Sequence, residues 1–292
     1  MNIIGLYIKG IIIGIANIIP GLSGGTMAFV MGIYDKLMES IGNFITNRLR
    51  RKEYFFFLMI LGLGMLTGII IFAEIFTTLL TSVIAKQHMF FFITGLIIGT
   101  IPFVVKSHDD MKITFKRFML IIFAFSLVLI SSKIGGGSNQ QTQYLTVKFD
   151  FLGLFKITNI DPFYALWLVF TGFIASGSMI LPGFSGSALL LGLGEYENVL
   201  FFIDAKMIVP LLFFAIGAIP GIIISAKVIN IFLEKHKPET LYFIIGLIFA
   251  SIFQLNSQIA VELITRFKVI FVSLIFLLLG IYVSISFNKI KS

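Results

Sequence analysis

Cysteine is absent from this chain, tryptophan occurs once, histidine three times, and charged side chains make up only 12% of its 292 residues. Without cysteine there is no disulfide framework and no thiolate metal centre. Three scattered histidines argue against an imidazole-bound metal; no metal and no organic cofactor is expected. The scarcity of charge excludes a soluble domain, in which about a quarter of the residues are ionic. The chain is instead 58% hydrophobic with 34 phenylalanines and a mean hydropathy of +1.04. That is the composition of an all-α polytopic membrane protein with little mass outside the bilayer. The net charge of +8 does not point to nucleic acid, because the basic residues cluster in short connections between apolar runs, the positive-inside pattern. The first apolar stretch holds only Lys9 as a basic residue, and no small-residue cleavage site follows. It is read as mature structure rather than a signal peptide.

One heptapeptide recurs. Pro20-Gly21-Leu22-Ser23-Gly24-Gly25-Thr26 returns 162 residues later as Pro182-Gly183-Phe184-Ser185-Gly186-Ser187-Ala188, and at the same offset Gly10 aligns with Gly172, Gly32 with Gly194, Tyr34 with Tyr196 and Asp35 with Glu197. The similarity continues further along. Gly64-x-x-x-Gly68 resembles Gly217-x-x-x-Gly221, and Phe92-Ile93-Thr94-Gly95 resembles Phe243-Ile244-Ile245-Gly246. A helix cannot pass undisturbed through Pro-Gly-x-Ser-Gly. Broken backbone at membrane depth persists only where protein buries it or it lines a cavity, and paired broken segments in two halves of a chain point to a transporter's binding site.

The expected organisation is a first repeat over 1–132, with a hairpin at 2–41 and spans at 54–83, 89–105 and 117–132. An extracytoplasmic linker over 133–160 follows. A second repeat over 161–292 then has a hairpin at 162–203, opened by Asp161-Pro162, and spans at 207–233, 240–255 and 266–286. With the N-terminus in the cytoplasm, the basic connections at Arg48–Lys52, Lys106–Arg117 and Glu234–Lys237 and the C-terminal Lys289 and Lys291 all fall inside. Three spans per half make the second copy inverted. The expectation is an inverted-topology repeat with two re-entrant helical hairpins and about six transmembrane helices, both termini cytoplasmic.

The tips carry the candidate chemistry. Glycine lets backbone or ligand approach closely, and Ser23, Thr26, Ser185 and Ser187 are suited to cap a restarting helix or to donate a hydroxyl. Unpaired N–H groups at such a start attract phosphate or carboxylate. The candidate substrate-binding residues are therefore Asn17, Pro20, Gly21, Ser23, Gly24, Gly25, Thr26, Pro182, Gly183, Ser185, Gly186, Ser187 and Lys227. The alternative is a tight turn whose hydroxyls bond to backbone. Intramembrane charge marks function or pairing. Glu74 and Lys227 occupy matching places in the repeat; they can pair near the pseudo-dyad, or Glu74 can carry a coupling proton while Lys227 meets phosphate or snorkels to an interface. Asp35 and Glu197, each after a tyrosine, are further coupling candidates and read as interfacial. Coupling to protons or sodium is left open, as is the oligomeric state.

The paired Pro-Gly-x-Ser-Gly tips, above all Asn17-Ile18-Ile19-Pro20-Gly21-Leu22-Ser23-Gly24-Gly25-Thr26, and the chain length resemble the PopT family of polyprenyl-phosphate transporters. The resemblance covers essentially the whole chain. It implies a flippase of the bacterial cytoplasmic membrane that returns undecaprenyl phosphate from the outer to the inner leaflet, among membrane lipids, for reuse in cell-wall synthesis. Undecaprenyl-pyrophosphate phosphatases resemble the same plan and supply the rival reading. Their tip continues with an arginine where this chain has Gly24 and Gly186, and they carry a paired-glutamate motif for which Asp35 and Glu39 are a weak substitute. Phosphate hydrolysis needs strong charge neutralisation, so a transporter rather than an enzyme is expected.

Overall fold

A computed structural model describes residues 2–18, 23–81, 83–106, 110–133, 145–151, 155–184, 186–257 and 267–289. The protein is mainly helical. In the first half α1 (Ile3–Ile18), α2 (Gly24–Val30) and α3 (Tyr34–Gly42) precede the long α4 (Arg51–Thr81), α5 (Val83–Ile98), the short α6 (Ile101–Lys106) and α7 (Phe115–Lys133). In the second, α8 (Pro162–Ile180), α9 (Gly186–Gly192) and α10 (Tyr196–Asp204) precede α11 (Ile208–Lys235), α12 (Lys237–Ser257) and α13 (Phe267–Lys289). Helices α2 and α9 have seven residues each, α3 and α10 nine each, and both pairs stand 162 residues apart at each end. Gly32 and Gly194, which join the members of these pairs, both take positive φ, 61° and 75°.

Among the described residues four helical stretches are long and apolar enough to cross a membrane: Arg51–Phe72, Pro162–Ile180, Ile208–Lys235 and Phe267–Ser286. Helix α8, one arm of the second expected hairpin, is thus long enough to cross by itself. Its start obeys local rules: Asp161 caps it, its Oδ2 accepting from the N–H groups of Phe163 (2.9 Å) and Tyr164 (3.1 Å), with Pro162 in the first turn.

The all-α expectation needs one correction. Within 133–160 an antiparallel hairpin joins β1 (Leu145–Phe151) to β2 (Phe155–Ile160), Leu145 facing Ile160 and Phe151 facing Phe155, with an irregularity between Val147 and Phe149. The signal was present: Leu145, Val147, Phe149 and Phe151 alternate with Thr146, Lys148 and Asp150, a period of two that only a strand satisfies. The Gly135–Gln141 stretch lies outside the described residues.

The glycines flagged by the repeat are where helices touch. A Cβ at Gly64 would lie 2.3 Å from the Tyr7 carbonyl oxygen, and one at Gly10 2.4 Å from that of Leu61, so α1 packs backbone to backbone on α4. Gly217 and Gly221 do the same for α11 against Val169 and Phe173 of α8. Without a hydrophobic drive between helices in lipid, such close packing is the source of their association. In both pairs the contacts advance together along the two helices, so the partners run parallel. The second and third long helices change halves: α5 packs on α13 through Gly95 and Gly280, and α12 packs on α7 through Gly246.

Charge gathers at one end. Lys237 pairs with Asp35 at 3.0 Å, Lys36 with Glu53, and Arg50 with Glu39 and Glu53. Arg117 reaches Asp110 at 2.7 Å and Glu239 at 3.5 Å. Ion pairs therefore tie the start of α3 to the start of α12, and the start of α7 to the first turn of α12. The hydrogen bond to Glu53 raises the Arg50 guanidinium above its already high ordinary value, so that cation is permanent.

Candidate functional site

The two tips meet inside the protein. Ser23, 8% exposed, is the N-cap of α2: its backbone is extended (φ −102°, ψ 145°) and its Oγ accepts from the Thr26 N–H at 3.1 Å. Its hydroxyl also lies 2.8 Å from that of Thr26, which is fully buried. Both oxygens receive the Gly183 N–H of the second tip, Thr26 Oγ1 at 2.7 Å and Ser23 Oγ at 3.2 Å. The Ser23 hydroxyl leans back on the Leu181 carbonyl at 3.4 Å. A side chain at Gly25 would stand 2.4 Å from the Ile180 carbonyl oxygen. The two halves of the repeat therefore clasp each other through groups that are each other's partners.

The remaining tip residues are placed as follows. Gly183 has φ +83°, and a Cβ there would lie 2.2 Å from the Leu247 carbonyl oxygen on α12. Pro182 is buried and Ser187 exposed. Gly24 faces the Asn17 amide, and Gly186 faces Met179 and the Ala175 carbonyl. The close approach these glycines permit in this structure is therefore to protein. Pro20, Gly21 and Ser185 lie outside the described residues. Helices α2 and α9, at seven residues, are too short to add much dipole to the tips.

The charged candidates do not gather at the tips. Asp35 is on the surface, paired with Lys237, and Glu197 is exposed in the first turn of α10. Lys227 is half-buried, its backbone against Gly42 of α3. The Glu74 side chain lies outside the described residues, and with it the expected pairing with Lys227.

Beside the clasp a cavity of about 690 Å³ opens between α7, α8, α11 and α12. Leu181 of the second tip, Phe173 and Ser225 line it, with Phe123, Phe232 and Phe243 along its walls. Besides Ser225, its polar lining is Tyr34, Lys116, His236, Glu239 and Thr240, all belonging to the charged end. Reading the sequence for paired motifs passed over Lys116 and His236, which lie 120 residues apart, and valued Tyr34 only as a marker of the repeat.

A buried carboxylate was also missed. Glu195, 1% exposed, takes hydrogen bonds from Tyr164 Oη (2.9 Å), Trp167 Nε1 (3.0 Å) and Asn198 Nδ2 (3.1 Å). The sole tryptophan of the chain, and a glutamate at the position where the first half has Ile33, were the available hints. Three neutral donors satisfy the carboxylate, and it pins the returning arm of the second tip region to the first turns of α8.

Residues 13–266 match the family described as VCA0040-like, undecaprenyl phosphate translocase-like. The chain is 30% identical over 294 residues to a polyprenyl-phosphate transporter of Staphylococcus aureus, covering 98% of this chain and 96% of that one. It is 29% identical over 265 residues to a polyprenyl-phosphate transporter of Vibrio cholerae, covering 86% and 77%. No solved structure matches the chain.

Proposed function

Because this chain belongs to the VCA0040-like, undecaprenyl phosphate translocase-like family, we propose that it moves a polyprenyl phosphate, undecaprenyl phosphate foremost, from the outer to the inner leaflet of the bacterial cytoplasmic membrane. The observation that carries this reading is the clasp: two broken segments from two repeats meet in the interior and hold each other by small donors and acceptors. A phosphate competes well for such groups, since hydrogen bonds to an ion are about twice as strong as neutral ones. When the hairpins part, the Ser23 and Thr26 hydroxyls and the Gly183 N–H are released to the head group, while the isoprenoid tail stays in lipid. The barrier to be removed is that of taking a charged head across about 30 Å of hydrocarbon.

Several features support an inverted repeat with re-entrant hairpins. Helices α1 and α8 run parallel to α4 and α11 respectively, and α4 starts at the level where α11 ends. The chain then returns from each tip through a two-turn helix and a positive-φ glycine. The charged end is read as cytoplasmic, which puts both termini inside. Transport rather than hydrolysis is favoured because the described tip groups are neutral donors with no arginine among them. Glu74 remains the intramembrane candidate for ion coupling.

Two measurements test this. Proteoliposomes carrying the protein and a fluorescent polyprenyl phosphate are expected to show leaflet exchange well above protein-free vesicles, with no phosphate released from a polyprenyl pyrophosphate. Sustained phosphate release without leaflet exchange would make it a phosphatase. For sidedness, a cysteine replacing Leu49, which is 97% exposed, is expected to resist an impermeant reagent added outside intact cells, and one replacing exposed Asn159 to react. Equal labelling of the two rejects the inverted arrangement.

A further inference from the structure

We infer that the cavity between α7, α8, α11 and α12 binds one polyprenyl phosphate, with Tyr34, Lys116 and His236 holding the phosphate and Phe123, Phe232 and Phe243 flanking the isoprenoid chain. The inference rests on the transport reading above and adds to it a second station for the lipid, separate from the clasp.

The first support is an unsatisfied group. Tyr34 is 1% exposed and lines the cavity, yet its hydroxyl has no hydrogen-bond partner among the described residues. Buried hydroxyls are nearly always paired, and an unpaired one is destabilising. In this structure the hydroxyl is closed off from the open space of the cavity, so an acceptor oxygen supplies the missing partner only once the wall around it has moved. The ring packs edge-on to Phe29 at 5.6 Å.

Charge is the second. Of the three ionisable groups that join Tyr34 in the lining, Glu239 is engaged by Arg117. Lys116 has no carboxylate within ion-pair distance among the described residues, and His236 has none either. The polar end of the cavity is therefore complementary to an anion that accepts hydrogen bonds. Size and polarity supply the third. About 690 Å³ is the volume of a small-molecule site rather than of a lone ion, and the remaining lining is apolar. Phe123 is 59% exposed and Phe232 52%, so the apolar wall is open sideways, as entrance from a bilayer requires. A free phosphate finds no use for these walls, and an alcohol finds none for Lys116. One molecule that needs both ends is a long-chain lipid phosphate. Leu181 places the inner end of the cavity against the clasp, so a lipid seated here has its path to the tips already lined.

The test measures binding of undecaprenyl phosphate to the purified full-length protein in nanodiscs, with undecaprenol and phosphatidylglycerol as comparison lipids. Tyr34→Phe is expected to weaken undecaprenyl phosphate binding about tenfold, the loss of a hydrogen bond to a charged group, and to leave undecaprenol binding alone. The melting temperature should stay level or rise, because an unsatisfied hydroxyl has been removed; a merely structural tyrosine would lower it. Lys116→Glu is expected to abolish the preference for the phosphate over the alcohol. Val228→Trp, at a lining position 44% exposed, is expected to fill the groove and weaken both lipids at least tenfold. If wild type binds the phosphate and all three variants match it, the cavity is not the site, and the transport reading stands without it. If phosphatidylglycerol displaces undecaprenyl phosphate mole for mole, the groove is a general anionic-lipid seat and the inference fails. If wild type binds no undecaprenyl phosphate at all, the transport reading fails first.

Discussion

Gly183→Ala is expected to lower stability by about 2–5 kcal/mol, enough to leave little folded protein after extraction. Two effects combine. A left-handed backbone penalises any L side chain by about 1–2 kcal/mol, and Gly183 stands at φ +83°. The added methyl would also fall 2.2 Å from the Leu247 carbonyl oxygen and 2.5 Å from Ser251 Oγ. The first of these is backbone of a packed helix and cannot swing aside, and overpacking of this kind typically adds about 1–3 kcal/mol. The matched control is Gly62→Ala. A Cβ at Gly62 meets nothing within 4 Å, so alanine there should be neutral or stabilising by up to about 1 kcal/mol through helix propensity. Thermal unfolding of both variants in one detergent gives the comparison. A Gly183→Ala protein that melts with wild type would mean that the second tip does not bed on α12.

The second large effect concerns the clasp, and it is expected to be non-additive. Gly183 N–H has two acceptors, Thr26 Oγ1 at 2.7 Å and Ser23 Oγ at 3.2 Å. Either one removed leaves the other. Thr26→Val, nearly isosteric, and Ser23→Ala should therefore each lower stability by only about 1 kcal/mol, Ser23→Ala mainly through loss of the α2 cap. The double substitution leaves a buried N–H with no partner and should lose about 1–3 kcal/mol beyond the two singles together. The same double variant is expected to lose polyprenyl phosphate transport, because the groups that would receive the head group are gone. Strict additivity of the three melting curves would show that the two hydroxyls do not share a donor.

The parts that could be read from the sequence are those written as periodicity or repetition. The Pro-Gly tips, the 162-residue offset, the Asp161-Pro162 start and the Gly64, Gly68, Gly217 and Gly221 packing sites are local patterns, and local physics dictates what they do. The tip hydroxyls allowed two outcomes, an anion or a backbone partner. In this structure they take backbone, and no local rule could choose Gly183, 157 residues beyond Thr26. The Glu195 pocket drew its donors from Tyr164, Trp167 and Asn198 for the same reason: the groups converge only after the arm has folded back. The β1–β2 hairpin was legible in the alternation of Leu145 to Phe151, and was overlooked beside the long apolar runs.

The exchange of helices between the halves, α5 with α13 and α7 with α12, has a consequence for motion. Half a chain by itself would leave the glycine face of its second long helix bare, with no helix of its own to cover it. Neither half is therefore a bundle closed on itself. A machine built this way has no independent lobes. Tilting the helices of one half drags a helix of the other with it.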